Sequence, residues 1–143
     1  MIQRIQSVWL LLAAACGFAM SKVPVFEATL STNISQKLLA TESLLLYAVV
    51  VGTSCLSVII IFLFKNRPLQ FKLTIVTIIL AIIAIALEVW KVEDYKSVNA
   101  AAITKGTYQW GGLLPIAMAG LLIVAARAIY KDEKLVKSLD RLR

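Results

Sequence analysis

Ser43-Leu44-Leu45-Leu46-Tyr47-Ala48-Val49-Val50-Val51-Gly52-Thr53-Ser54-Cys55-Leu56-Ser57-Val58-Ile59-Ile60-Ile61-Phe62-Leu63-Phe64 contains no charged residue. At about 1.5 Å of rise per residue, roughly 20 apolar residues carry a helix across ~30 Å of hydrocarbon. The stretch therefore reads as a transmembrane helix. Working outward, three more uncharged runs emerge: Ile5 to Ser21, Leu73 to Leu87 and Gly106 to Ala126. The run from Leu73 reaches a full crossing if it continues through Val92, with Glu88 and Lys91 at the headgroups. The first run crosses if Arg4 and Lys22 snorkel at its two ends. The expected spans are 5–21, 43–64, 73–92 and 108–130, followed by a basic tail at 131–143. Arg4, the apolar run behind it and Ala19-Met20-Ser21 also describe a cleavable signal peptide, and Leu12 to Cys16 loosely resembles a lipoprotein processing box.

Composition agrees with this reading. The chain has 143 residues, 60% hydrophobic and 16% charged, against about 45–50% and about 25% in soluble domains. A soluble fold this small could not cover so much apolar surface. There is no histidine and there are two cysteines. That excludes histidine-dependent triads and HExxH zinc sites, and it leaves too few soft ligands for a Cys/His metal centre. No phosphate loop or cofactor box is present, so neither an enzyme nor a cofactor is expected. Cys16 and Cys55 fall inside apolar spans and are expected to be reduced.

Charge sets the direction. On the side of the N-terminus, the 65–72 connection and the tail lie ten bases: Arg4, Lys65, Arg67, Lys72, Arg127, Lys131, Lys134, Lys137, Arg141 and Arg143. Three acids, Asp132, Glu133 and Asp140, oppose them. On the other side Lys22, Lys37, Lys91, Lys96 and Lys105 balance Glu27, Glu42, Glu88, Glu93 and Asp94. The whole net charge of +7 thus gathers on one face, which the positive-inside rule makes cytoplasmic. The expected fold is all-α: an integral membrane four-helix bundle running up-down-up-down, with both termini inside, in a bacterial inner membrane. Topology and anionic lipid explain the excess of base, so no nucleic acid is expected as a partner. Trp90, Trp110 and Tyr47 belong at the outer interface and Trp9 and Tyr130 at the inner one.

Within the spans, Thr74, Thr77, Ala81, Ala84 and Glu88 recur at spacings of 3 and 4 and form one helix face, which predicts an inward, small-residue contact. In the second span Ala48, Gly52 and Cys55 suggest a similar face, with Thr53 and Ser57 beside it. Pro115 is expected to kink or loosen the fourth span. The outer connections, roughly 22–42 and 93–105, carry no repeat or catalytic loop. Asn33-Ile34-Ser35 matches a glycosylation acceptor by chance. Glu88 is the one candidate coupling acid. Its simpler reading is an interfacial group close to Lys91, Glu93 and Asp94. In the tail, Leu135, Leu139 and Leu142 share a side, and Lys131, Lys134, Lys137, Arg141 and Arg143 suit anionic lipid or a protein partner. The alternative is a solvated continuation of the fourth helix.

Three strings carry a family likeness: Met1-Ile2-Gln3-Arg4-Ile5-Gln6-Ser7-Val8-Trp9-Leu10-Leu11-Leu12-Ala13-Ala14 at the start, the Phe64-Lys65-Asn66-Arg67-Pro68-Leu69-Gln70 turn, and the closing segment from Arg127-Ala128-Ile129-Tyr130 to Arg141-Leu142-Arg143. Together they resemble the Bacteroidota membrane family catalogued as domain of unknown function 4293. The resemblance implies a four-span inner-membrane protein and no known chemistry. Two functions are expected to compete. One is a non-enzymatic accessory, scaffold or complex subunit that meets membrane lipids and a protein partner, with no small-molecule substrate identified. The other is a small proton-coupled transporter, acting as an oligomer and using Glu88.

Overall fold

The computed structural model describes residues 2–31, 34–64 and 66–140. Four helices dominate: α1 (Ile2–Met20), α2 (Leu44–Phe62), α3 (Arg67–Val98) and α4 (Leu114–Asp140). They pack in a closed ring in which α1 touches α2 and α4, and α3 touches α2 and α4. Three helical segments, Leu44–Phe62, Arg67–Val98 and Trp110–Val136, are long and apolar enough to cross a membrane. The apolar part of α1, Ile5–Met20, is shorter than those three, because the chain turns at Ser21 and Lys22.

The expectation of an all-helical fold needs correction. The connections at the end where α1 stops and α2 starts are not loops. They build a three-stranded antiparallel sheet from β1 (Pro24–Leu30), β2 (Ser35–Leu39) and β3 (Ile103–Tyr108), in the order β2-β1-β3. The central strand pairs Glu27 with Lys37 on one side and with Thr107 on the other. A register shift between Pro24 and Phe26 breaks the strict alternation. An extra residue of this kind re-aims side chains, and Val25 and Phe26 are accordingly both buried although adjacent.

Burial on α3 is inverted relative to a water-soluble core. On α3 the inward positions are Gln70, Thr74, Thr77, Ala81, Ala84, Glu88 and Val92, which contains the predicted stripe whole. Ile75, Ile79, Ile82 and Ile83 point outward. Small side chains at the contact let helices approach closely, and the branched ones are left for an apolar surround. The hydroxyls are satisfied locally. Thr53 donates to the Val49 carbonyl at 2.7 Å, Ser57 to Thr53 at 2.8 Å, Thr74 to Gln70 at 2.8 Å and Thr77 to Thr74 at 2.7 Å. Back-bonding to the same helix keeps a buried hydroxyl from costing an unmade hydrogen bond.

On α2 the expected face is on the wrong side. Leu46, Val50, Thr53, Ser54, Ser57 and Ile60 are inward, whereas Ala48 and Cys55 are exposed and a Cβ on Gly52 would meet nothing within 4 Å. The Thr53/Ser57 stripe is the contact. The close approach occurs at Gly17 of α1, where an added Cβ would overlap Ser54 Oγ. Pro115 does not kink α4, because it is the second residue of that helix, where a missing N–H costs nothing. The residues before it, Trp110–Leu113, form a 3-10 turn, so α4 begins later than the expected 108.

Two apolar clusters stack along the ring. One, around Phe26, Met20, Val25, Leu46, Val50 and Val92, joins the sheet to the helix ends. The other, around Leu10, Ile60, Ala81, Met118 and Leu122, lies between the helices. At the end away from the sheet, polar ties replace strands. Gln6 Nε2 donates to the Ala128 carbonyl at 3.0 Å, Gln70 Nε2 to Ile60 at 3.2 Å, and Arg67 pairs with Asp132 at 2.9 Å.

Candidate functional site

Glu88 lies where α3 passes beneath the sheet. It is 4% exposed and follows Ala81 and Ala84 on the inward stripe. Its carboxylate makes no hydrogen bond or ion pair to the described residues. The interfacial pair with Lys91 therefore does not form: Lys91 Nζ reaches Asp94 Oδ2 at 3.5 Å, and Lys96 takes Glu93 at 2.8 Å. The spacing explains the choice. Position 88 turns to the ring interior while positions 93 and 94 stay exposed, so Lys91 finds its partner one turn onward and Lys96 one turn back.

Glu88 is held against backbone. A Cβ placed on Gly112 would come within 2.9 Å of Glu88 Oε1 and 3.5 Å of the Val25 carbonyl, so the glycine admits the carboxylate beside β1. Beyond it is a small cavity of about 10 Å³ lined by Val25, Leu46, Val92 and Lys91 among others, roughly enough for one water molecule. The cavity borders an open cleft between β2 and the end of α3, with hollows of about 180 and 240 Å³. Leu38, Glu42 and Lys91 line both the cavity and the cleft.

An aromatic cluster fixes that cleft. Phe26 is buried edge-on against Tyr108, with centroids 5.5 Å apart, and against Tyr95 at 6.4 Å. Tyr95 Oη donates to Gln36 Oε1 at 2.6 Å, tying α3 to β2. Lys96 Nζ stands 5.4 Å from the Phe26 ring centre and 5.2 Å from that of Tyr108. Gly106 is required here, since a side chain on it would run into the Phe26 ring. On β1, Glu27 Oε2 accepts from Gln109 Nε2 at 2.8 Å.

The other predicted residues are not brought to this site. Lys131 and Lys134 are exposed on the last turns of α4, which continues unbroken to Asp140. The side chain of Lys137, and Arg141 and Arg143 entirely, lie outside the described residues, as does Asn33 of the acceptor triplet. Cys16 and Cys55 are both free thiols. Sequence reasoning missed the Arg67–Asp132 pair, which secures the base of that last helix to the start of α3. The available signal was Asp132, the first of three acids amid the bases of the tail.

Chemically, the site offers one buried carboxylate beside apolar walls and a cleft with both signs of charge. Among the described residues no three Asp, Glu, His or Cys side chains meet as a metal site. A family model described as Domain of unknown function (DUF4293) matches residues 2–142. No curated protein and no solved structure matches the chain.

Proposed function

The chain belongs to the DUF4293 family, and from this premise and the site geometry we propose that it is a non-enzymatic accessory or assembly subunit of a bacterial inner membrane. Its four helices cross the bilayer with both termini in the cytoplasm, and the sheet forms a cap on the opposite side. The Bacteroidota source suggested by the terminal strings suits this placement. The observation that carries the reading is the inverted burial of α3, with Thr74, Thr77, Ala81 and Ala84 inside and Ile75, Ile79, Ile82 and Ile83 outside. Hydrocarbon is the solvent that makes this arrangement favourable.

The interior supports an accessory role more than transport. The hydroxyls that could line a pathway are turned back on their own helices, and the cavity beside Glu88 has about 10 Å³. The exposed Lys131 and Lys134 on α4 suit anionic headgroups or a protein partner on the cytoplasmic side. Proton-coupled transport is the competing reading, favoured by the burial of Glu88 alone.

Crosslinking in native membranes followed by mass spectrometry tests the choice. The expected result is a reproducible crosslink from the cap or from the Lys131/Lys134 segment to another membrane protein. Crosslinks confined to lipid and to copies of the chain, together with cation flux in proteoliposomes abolished by Glu88→Gln, would overturn it in favour of the transporter.

A further inference from the structure

The cleft between β2 and the end of α3 has a chemistry of its own. Four charged residues border its two hollows: Lys37 from the strand and Glu42 from the turn before α2 border one, and Glu42 with Lys91 and Asp94 from α3 border the other. They sum to zero. Only Lys91 and Asp94 are paired, at 3.5 Å. Lys37 and Glu42 form no ion pair among the described residues, and Glu42 takes a single long backbone bond from Leu39 N–H at 3.4 Å. Glu42, Lys91 and Asp94 around one hollow, with Glu42 outside any ion pair among the described residues, match a ligand that itself carries both signs.

Position narrows the ligand. Ser43 lines the adjoining cavity, and the next two residues, Leu44 and Leu45, open α2 with exposed apolar side chains. Leu44 is 83% exposed. Glu42, on the wall of the cleft, is thus two residues from an oily helix surface. Its two hollows, of about 180 and 240 Å³, are each more than ten times the size of the one-water cavity beside Glu88. We propose that this cleft binds the headgroup of a zwitterionic phospholipid bearing a primary ammonium, with the phosphate set against Lys91, the ammonium against Glu42 and Asp94, and the acyl chains running down α2 from Leu44 and Leu45. Lysine acts as a compact point charge for phosphate, and paired carboxylates distinguish a small ammonium from a bulky quaternary one by close approach. The inference rests on the reading that the helices cross a membrane.

Native mass spectrometry of the full chain released from detergent, loaded with phosphatidylethanolamine, phosphatidylglycerol or phosphatidylcholine of identical acyl chains, tests it. The expected result is several-fold greater retention of phosphatidylethanolamine than of either other lipid. The double variant Glu42→Gln/Lys91→Gln should lose that preference, and Lys105→Gln, on the far edge strand, should keep it. Equal or stronger retention of phosphatidylglycerol would show that net positive charge alone attracts lipid and would overturn the proposal. Equal retention of phosphatidylcholine would overturn the ammonium assignment and the proposal with it. If the double variant does not fold, the three-lipid comparison on the unaltered chain still decides. Competition by soluble phosphoethanolamine would support headgroup recognition by a free zwitterion as well as by lipid. Lack of competition beside a variant-sensitive lipid preference would support lipid as the source. A chain that stays dispersed without detergent would instead remove the membrane reading on which the inference stands.

Discussion

The sheet end and the opposite end of the helix ring solve one problem by different means. Both must fasten four helix termini to one another. At the sheet end, β1 pairs with β2 and β3, and large side chains, Phe26, Met20, Leu46 and Val92, fill the space beneath. At the other end three side-chain ties do the same work: Gln6 to Ala128, Gln70 to Ile60 and Arg67 to Asp132. Between them the helices touch through glycine, alanine and hydroxyl residues around Leu10, Ile60, Met118 and Leu122. The bulky packing around Phe26 closes the end that, on the proposed reading, projects toward water, where the hydrophobic effect operates. Within the bilayer lipid tails are as apolar as leucine, and closeness of approach takes its place.

The difference can be broken at its strongest point first. Phe26→Ala should cost the cap about 3–5 kcal/mol, the usual loss for a buried aromatic. Hydrogen exchange should rise sharply in β1 and β3 while α2 and the middle of α3 stay protected. Uniform loss of protection would show that cap and helices are one cooperative unit. Next, Gly17→Val places atoms where Ser54 Oγ sits and should lower stability by about 1–3 kcal/mol through overpacking. Adding Ser54→Ala should recover part of the loss in a detergent melting assay.

At the far end, Arg67→Ala strands Asp132, whose side chain is 13% exposed against 28% for its partner. Because both are partly solvated, the expected cost is about 1–2 kcal/mol, between values for surface and buried pairs. Cleavage by protease after α4 leaves the ring should quicken accordingly. The smallest effect belongs to Thr74→Val. Its hydroxyl serves only its own helix, so replacing it with an isosteric methyl should change stability in the melting assay by less than about 1 kcal/mol. A large loss would reveal a cross-helix partner for that oxygen.

The legible part of the fold was the part with one unambiguous stripe. On α3 the sole small and hydroxyl residues between the ends of the apolar run fall at Thr74, Thr77, Ala81, Ala84 and Ala86, and all but the last share a face. On α2 two neighbouring stripes, Ala48/Gly52/Cys55 and Thr53/Ser57, offer similar side chains, and a helix that is apolar all round gives hydropathy nothing to choose between them. The contact went to the hydroxyls because they bring Ser54 under Gly17. The sheet was hidden for a different reason. The bulge beside Pro24 makes Val25 and Phe26 consecutive inward residues, and Gly106 interrupts β3, so neither strand shows clean alternation. Glu88 was visible as an inward acid by its spacing. Its separation from Lys91 depends on Asp94 being the nearer exposed partner, and the cleft depends on β2, whose sequence alone reads as a connection.

The pairing of β1 with β3 reaches across the chain, since β1 follows the first helix and β3 precedes the last. With Gln6 holding Ala128 at the other extremity, α1 and α4 are clasped at top and bottom without help from the link between α2 and α3. A polypeptide severed at that link should consequently remain a single particle, and two separately synthesised halves should find each other by completing a sheet.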